Sequence, residues 1–185
     1  MLTKFAETVF NAYLAELRKG NAGCERRRKR LRKVRKLLLK LGDPDIFARL
    51  DGYLFRTPFS SDIILLHFQW PLYDSVMPRL ARAVNSARGG LMRLDVGANV
   101  GAATYLVSQE VIGRFLCIEA NPRFKASLTH NLAQIPSSRA RFVALTDKSL
   151  RLAVRHNYIG GNSTIETAPG GGEMLEYVTL DEALE

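Results

Sequence analysis

A chain of 185 residues with 46% hydrophobic residues and 14 glycines has the length and composition of one globular domain with an extension. No apolar run approaches the ~18 residues that cross a bilayer, and the first seven residues, Met-Leu-Thr-Lys-Phe-Ala-Glu, lack the charged, apolar and cleavage regions of a secretory signal. The net charge of +9 sits in one stretch: between Glu25 and Lys40 ten Lys or Arg face a single acid, and the remainder is neutral. Two cysteines, Cys24 and Cys117, stand far apart and offer neither a disulfide framework nor zinc spacing, so no metal site is expected and the cytoplasm is the expected compartment.

Leu2, Phe5, Val9, Phe10, Tyr13, Leu14 and Leu17 recur at helical spacing and predict an amphipathic helix, with Gly20 and Gly23 as stops. A second helix is predicted over 24–41, with Leu31, Val34, Leu38 and Leu41 along one seam, Gly42 as its C-terminal cap and Pro44 beyond. Three roles are open to its bases at 26–30, 32, 33, 35 and 36. They can form a solvated face whose leucine seam packs on the first helix, or attach to an anionic membrane surface or acidic partner. They can also bind nucleic acid, which ranks last because no aromatic residue interleaves the run to stack bases. Residues 43–52 read as a short helix and a turn. Residues 53–55 and 62–68 are strand-like and suit a small hairpin over a ligand site, ended by Trp70-Pro71. Leu72, Val76, Leu80 and Val84 mark a helix interrupted at Pro78 and closed by Gly89-Gly90.

The centre of the chain is 91–101, Leu-Met-Arg-Leu-Asp-Val-Gly-Ala-Asn-Val-Gly. Its first six residues suit a buried parallel strand, Gly97, Asn99 and Gly101 a tight turn, and 102–112 a helix. Glycines let the backbone approach a ligand, and a helix start offers free N–H groups to a negative one. Residues 114–119 read as the next strand and end in Glu119, 24 positions after Asp95. A carboxylate there accepts from both hydroxyls of a ribose. Asn121-Pro122 starts a helix running to about 134, with Phe124, Leu128 and Leu132 toward the sheet. A third strand is predicted at 140–145, further strands at 151–155 and 176–180, loops at 158–161 and 168–172, and a helix from 181.

The spacing Asp95-x-Gly97-x-Asn99-x-Gly101 lacks the Gly-x-Gly-x-x-Gly room for a pyrophosphate, which disfavours a nicotinamide or flavin site. Asp95-Val-Gly-Ala-Asn-Val-Gly101, Ile118-Glu-Ala-Asn-Pro122, Val143-Ala-Leu-Thr-Asp-Lys148, Gly160-Gly-Asn-Ser-Thr164 and Val178-Thr-Leu-Asp181 follow in order. Together, over about half the chain, they resemble the FkbM-type family of S-adenosylmethionine-dependent methyltransferases. The resemblance implies an α/β, Rossmann-like (class I) methyltransferase fold over 53–185, with core motifs at 91–185, behind a helical, basic region at 1–52. It implies S-adenosyl-L-methionine as cofactor and methyl transfer to a hydroxyl of a small molecule or sugar. Asp95 would contact the cofactor through water or hold the loop. Gly97 and Gly101 would give close approach, Asn99 would orient the loop, and Glu119 would take the ribose. Asn121 would lie by the adenine edge or simply cap its helix. Asp147 would accept from the adenine amino group or pair with Lys148.

Members resembling this chain continue past the Thr-Leu-Asp segment into a strand like Ile-Asp-Val-Glu-Gly. An incomplete parallel sheet is therefore expected, with an open edge on the strand from Leu91 that favours self-association. The chain is then expected to be a fragment, a truncated gene product, or a remnant that lost activity and serves as a cofactor-binding or interaction module. No catalytic base is assigned: His67 and His130 read as structural or exposed, and His156, near the glycine loop, has no partner at defined spacing.

Overall fold

The computed structural model describes residues 1–20, 24–50, 52–70, 72, 75–159 and 162–185, without the side chains of 158, 159, 162 and 163. The stop at Gly23, the break at Pro71 and the pair Gly160-Gly161 lie outside the described residues. The architecture is mixed α/β: seven helices and three sheets, one of them parallel, among the described residues.

Helix α1 (Leu2–Arg18) buries Val9, Phe10, Tyr13, Leu14 and Leu17 of the expected stripe together with Ala6, whereas Leu2 is half-buried and Phe5 is exposed. Helix α2 (Glu25–Leu39) packs antiparallel to it: Glu16, near the end of α1, lies 3.3 Å from Arg27, at the start of α2. Bonding to Lys19 holds the Glu16 carboxyl below its ordinary value. On α2, Leu38 and, unexpectedly, Arg35 are buried. Arg35 spans to the segment before α3 (Ile63–Gln69): its Nε and Nη2 donate to the Phe59 carbonyl at 3.1 and 2.9 Å, Nη2 also to that of Ser61 at 3.1 Å, and Nη1 to Asp62 at 2.5 Å. The C-cap is Lys40 rather than Gly42, which lies two residues on at φ 148°.

Two local expectations are corrected. The helix expected within 43–52 is absent among the described residues: β1 (Asp45–Leu50) pairs antiparallel with β2 (Tyr53–Pro58), and Ile46, Ala48 and Leu50 point inward with a period of two. Residues 62–68 are not the second strand of a hairpin: Asp62 is the N-cap of α3 and 63–68 belong to that helix, whose run Ile-Ile-Leu-Leu is apolar at every position and carries no period to read. The hairpin exists, shifted toward the N-terminus, and 52/53, the expected domain division, falls in its turn. The main core runs without interruption from Phe10 through Phe55 and Phe59 to Tyr105, Phe124 and Leu128.

Helix α4 (Val76–Arg88) takes Pro78 as its third residue, where the N–H groups lack intrahelical acceptors, and ends at Gly89 with φ 67°. Then come β3 (Met92–Val96), α5 (Ala102–Ser108), β4 (Arg114–Ile118), α6 (Pro122–Leu132) and β5 (Ser138–Arg141). The three strands form the parallel sheet in the order β3-β4-β5, with β3 at its edge and Met92 and Val96 exposed. The expected third strand at 140–145 is divided: β5 stays with β4, while β6 (Ala144–Leu145) turns away to pair with β9 (Glu173–Val178). Strands β7 (Leu150–Ile159) and β8 (Asn162–Thr167) complete a four-stranded mixed sheet, β6-β9-β7-β8. A capping box between Thr179 and Glu182 opens α7 (Leu180–Leu184). Among the described residues no helix is long and apolar enough to cross a membrane.

Candidate functional site

The turn after β3 places its chemistry by backbone geometry. Gly97, Asn99 and Gly101 all have positive φ, 73°, 53° and 83°. The N–H groups of Gly97 and Ala98 donate to the Ile118 carbonyl at 2.9 and 3.0 Å, so the turn folds back over the end of β4. A Cβ on Gly97 would enter open space, whereas one on Gly101 would meet Leu128 Cδ1 at 3.0 Å. Gly97 therefore opens onto solvent, and Gly101 lets α5 start close against α6.

Glu119, 7% exposed, follows β4 and organises the turn. Its Oε2 accepts from the Asn99 N–H and its Oε1 from the Asn121 N–H, both at 2.7 Å. One carboxylate thus ties the glycine turn to the start of α6. A cleft of about 350 Å³ opens beside it at the C-terminal ends of β3 and β4. Val96, Gly97, Asn99, Ile118, Glu119 and Ala120 line it, and Phe124, Val143 and Ile165 supply further apolar lining.

Three of the expected site residues, Gly97, Asn99 and Glu119, meet in this cleft. Asp95 lies beneath it: Thr104 Oγ1 donates to Oδ2 at 2.6 Å, and Arg93 stands 3.4 Å from Oδ1. Gly101 caps α5. Asn121 has no exposed surface, and its side chain accepts from the Arg123 N–H as the cap of α6. Asp147 is exposed beyond β6, within 3.2 Å of its neighbour's Thr146 hydroxyl, and does not line the cleft.

Sequence reasoning missed Phe124, Val143 and Ile165 as lining residues. The spacing assigns Phe124 to the sheet, Val143 falls where the third strand was expected to continue, and Ile165 lies on β8, just after the Gly160–Thr164 motif, where no strand was expected. His156 sits opposite Ile165 in the β7–β8 register, with Nε2 3.8 Å from Glu173. No group of three or more His, Cys, Asp or Glu side chains suited to a metal occurs among the described residues. The chain matches no protein-family model, no curated protein and no solved structure.

Proposed function

We propose that the chain is an S-adenosylmethionine-dependent methyltransferase of FkbM type, acting on a hydroxyl of a small molecule or sugar. The meeting of Gly97, Asn99 and Glu119 in one cleft at the C-terminal ends of two parallel strands supports this best, because open α/β sheets take nucleotides at that place. The succession β3-α5-β4-α6-β5 supports a Rossmann-like core as part of the same reading.

The residues fit the adenosine half of such a cofactor. Each oxygen of Glu119 receives one backbone N–H and keeps acceptor capacity for a ribose hydroxyl. Phe124, Val143 and Ile165 offer apolar surface to a purine ring, and open space beside Gly97 leaves room for the charged tail. When bound, S-adenosylmethionine supplies a methyl group activated by the positive sulfur. The chain's share is positioning: Glu119 holds the ribose, the Asn99 turn is fixed by Glu119, and the apolar wall excludes water.

One observation favours a second reading, a binding module without turnover. Glu119 is the sole titratable side chain lining the cleft among the described residues, and both of its oxygens are engaged. No lining group is placed to take the acceptor's proton. Calorimetric titration tests the first reading: S-adenosylhomocysteine binds more tightly than NAD, and tighter NAD binding overturns it. Methyl transfer from labelled cofactor to a panel of hydroxyl acceptors separates enzyme from binding module.

A further inference from the structure

We propose that the α1–α2 hairpin docks the protein on an anionic phospholipid bilayer through a basic stripe with an apolar tip. Arg26, Arg30, Lys33, Lys36 and Lys40 follow one another at three- and four-residue steps, with Lys29 beside them, opposite the buried Arg35 and Leu38, and all are exposed. Arg26, Arg30, Lys33, Lys36 and Lys40 form no ion pair among the described residues. Like charges on successive turns repel, and an anionic surface relieves that repulsion.

The stripe does not end in charge. Leu37 and Leu41 are 62% and 69% exposed, and Phe5 on α1 is 53% exposed. The hairpin is antiparallel, and the Leu2 side chain lies 3.6 Å from where a Cβ on Gly42 would stand. The start of α1 and the end of α2 therefore share one tip, which carries Phe5, Leu37 and Leu41 beside Lys36 and Lys40. A phosphate polymer would use the bases and leave these side chains in water. A bilayer uses both: headgroups take the ammonium and guanidinium groups while leucine and phenylalanine enter the acyl boundary. This combination selects lipid over nucleic acid.

The test is sedimentation of the full chain with vesicles of phosphatidylcholine alone or with about 30% phosphatidylserine. Uptake is expected with the anionic vesicles alone, and should weaken at least tenfold between about 0.1 and 0.5 M salt. With each cation near the surface worth roughly fivefold, R26Q/R30Q/K33Q/K36Q/K40Q should lose at least a hundredfold in affinity. The exposed pair L37S/L41S should lose about tenfold toward vesicles and nothing toward polyuridylate. Circular dichroism checks that each variant stays folded. A folded chain that ignores anionic vesicles, or binds them no less as L37S/L41S, overturns the proposal; the second outcome, with equal binding to polyuridylate, identifies a polyphosphate surface instead.

Discussion

Thr104 donates its hydroxyl to Oδ2 of Asp95 at 2.6 Å, fastening the first turn of α5 to the end of β3 beneath the candidate cleft. Thr104 is fully buried. Thr104→Val keeps the shape and removes the donor, leaving the carboxylate with Arg93 at 3.4 Å. A hydrogen bond to a charged group contributes about 1.5–3 kcal/mol, so unfolding by urea should shift by that amount with an unchanged slope, and Thr104→Ser should recover most of it.

Glu119 is asked to do two things, and two substitutions separate them. Glu119→Ala removes every acceptor, and affinity for S-adenosylhomocysteine should fall at least tenfold, as expected for losing bonds of roughly 1.5–3 kcal/mol each. Glu119→Gln turns an amide NH2 toward either the Asn99 or the Asn121 N–H, both now held at 2.7 Å. One donor is then orphaned, costing about 1–3 kcal/mol of stability despite equal size. Unchanged affinity in folded Glu119→Ala would confine this residue to holding the turn.

Burial pushes the Cys117 thiol from its ordinary 9.0 to about 11. The folded chain holds this proton more tightly than the unfolded one, so the contribution to stability is complete below pH 9.0 and is lost as pH rises toward about 11. The stability of Cys117→Ala should decline less steeply than that of the parent across that interval in urea titrations. A thiol reagent at neutral pH should label the exposed Cys24 quickly and Cys117 only on unfolding.

Arg35 looks like one base among ten in the sequence, yet it is the buried one, holding the carbonyls of Phe59 and Ser61. Arg35→Met keeps the stem and strands both acceptors. A loss of about 2–4 kcal/mol is expected, read as a fall in melting temperature of roughly 5–15 °C, whereas exposed Lys36→Met should stay within about 0.5 kcal/mol.

What the sequence discloses depends on how many residues vote. Helix α1 has five of its seven expected apolar positions buried in phase, and α6 has an Asn-Pro start whose cap the structure contains. The glycine turn is legible because positive φ demands particular residues, and Glu119 because it ends a strand at a meaningful distance. Strand β1 is hidden because only Ile46, Ala48 and Leu50 carry its period. Helix α3 is hidden because uniform apolarity has no phase. The departure of β6 from the parallel sheet is a choice between partners, fixed by β9 some thirty residues later. The lining role of Ile165 has the same origin: a tertiary approach leaves no local mark.

Asn131 imitates a neighbouring strand. Its Oδ1 accepts from the Arg56 N–H at 2.7 Å, and its Nδ2 donates to the carbonyls of Arg56 and Val100, both at 2.8 Å. His130 on the same helix and Gln134 just past its end reach Leu54, and Arg123 reaches Asp45. Each link to the β1–β2 hairpin joins segments separated by 75 or more positions. During synthesis, the hairpin β1–β2 therefore leaves the ribosome long before its partner helix exists. Until α5 and α6 arrive, Phe55 lacks the Tyr105 ring it packs against and the backbone of β2 lacks its Asn131 partner, and the early chain stays open to chaperones and to misassociation. The rate at which this protein matures should then be set by the closing of that long loop, a step to which the fast-forming α1–α2 pair contributes little.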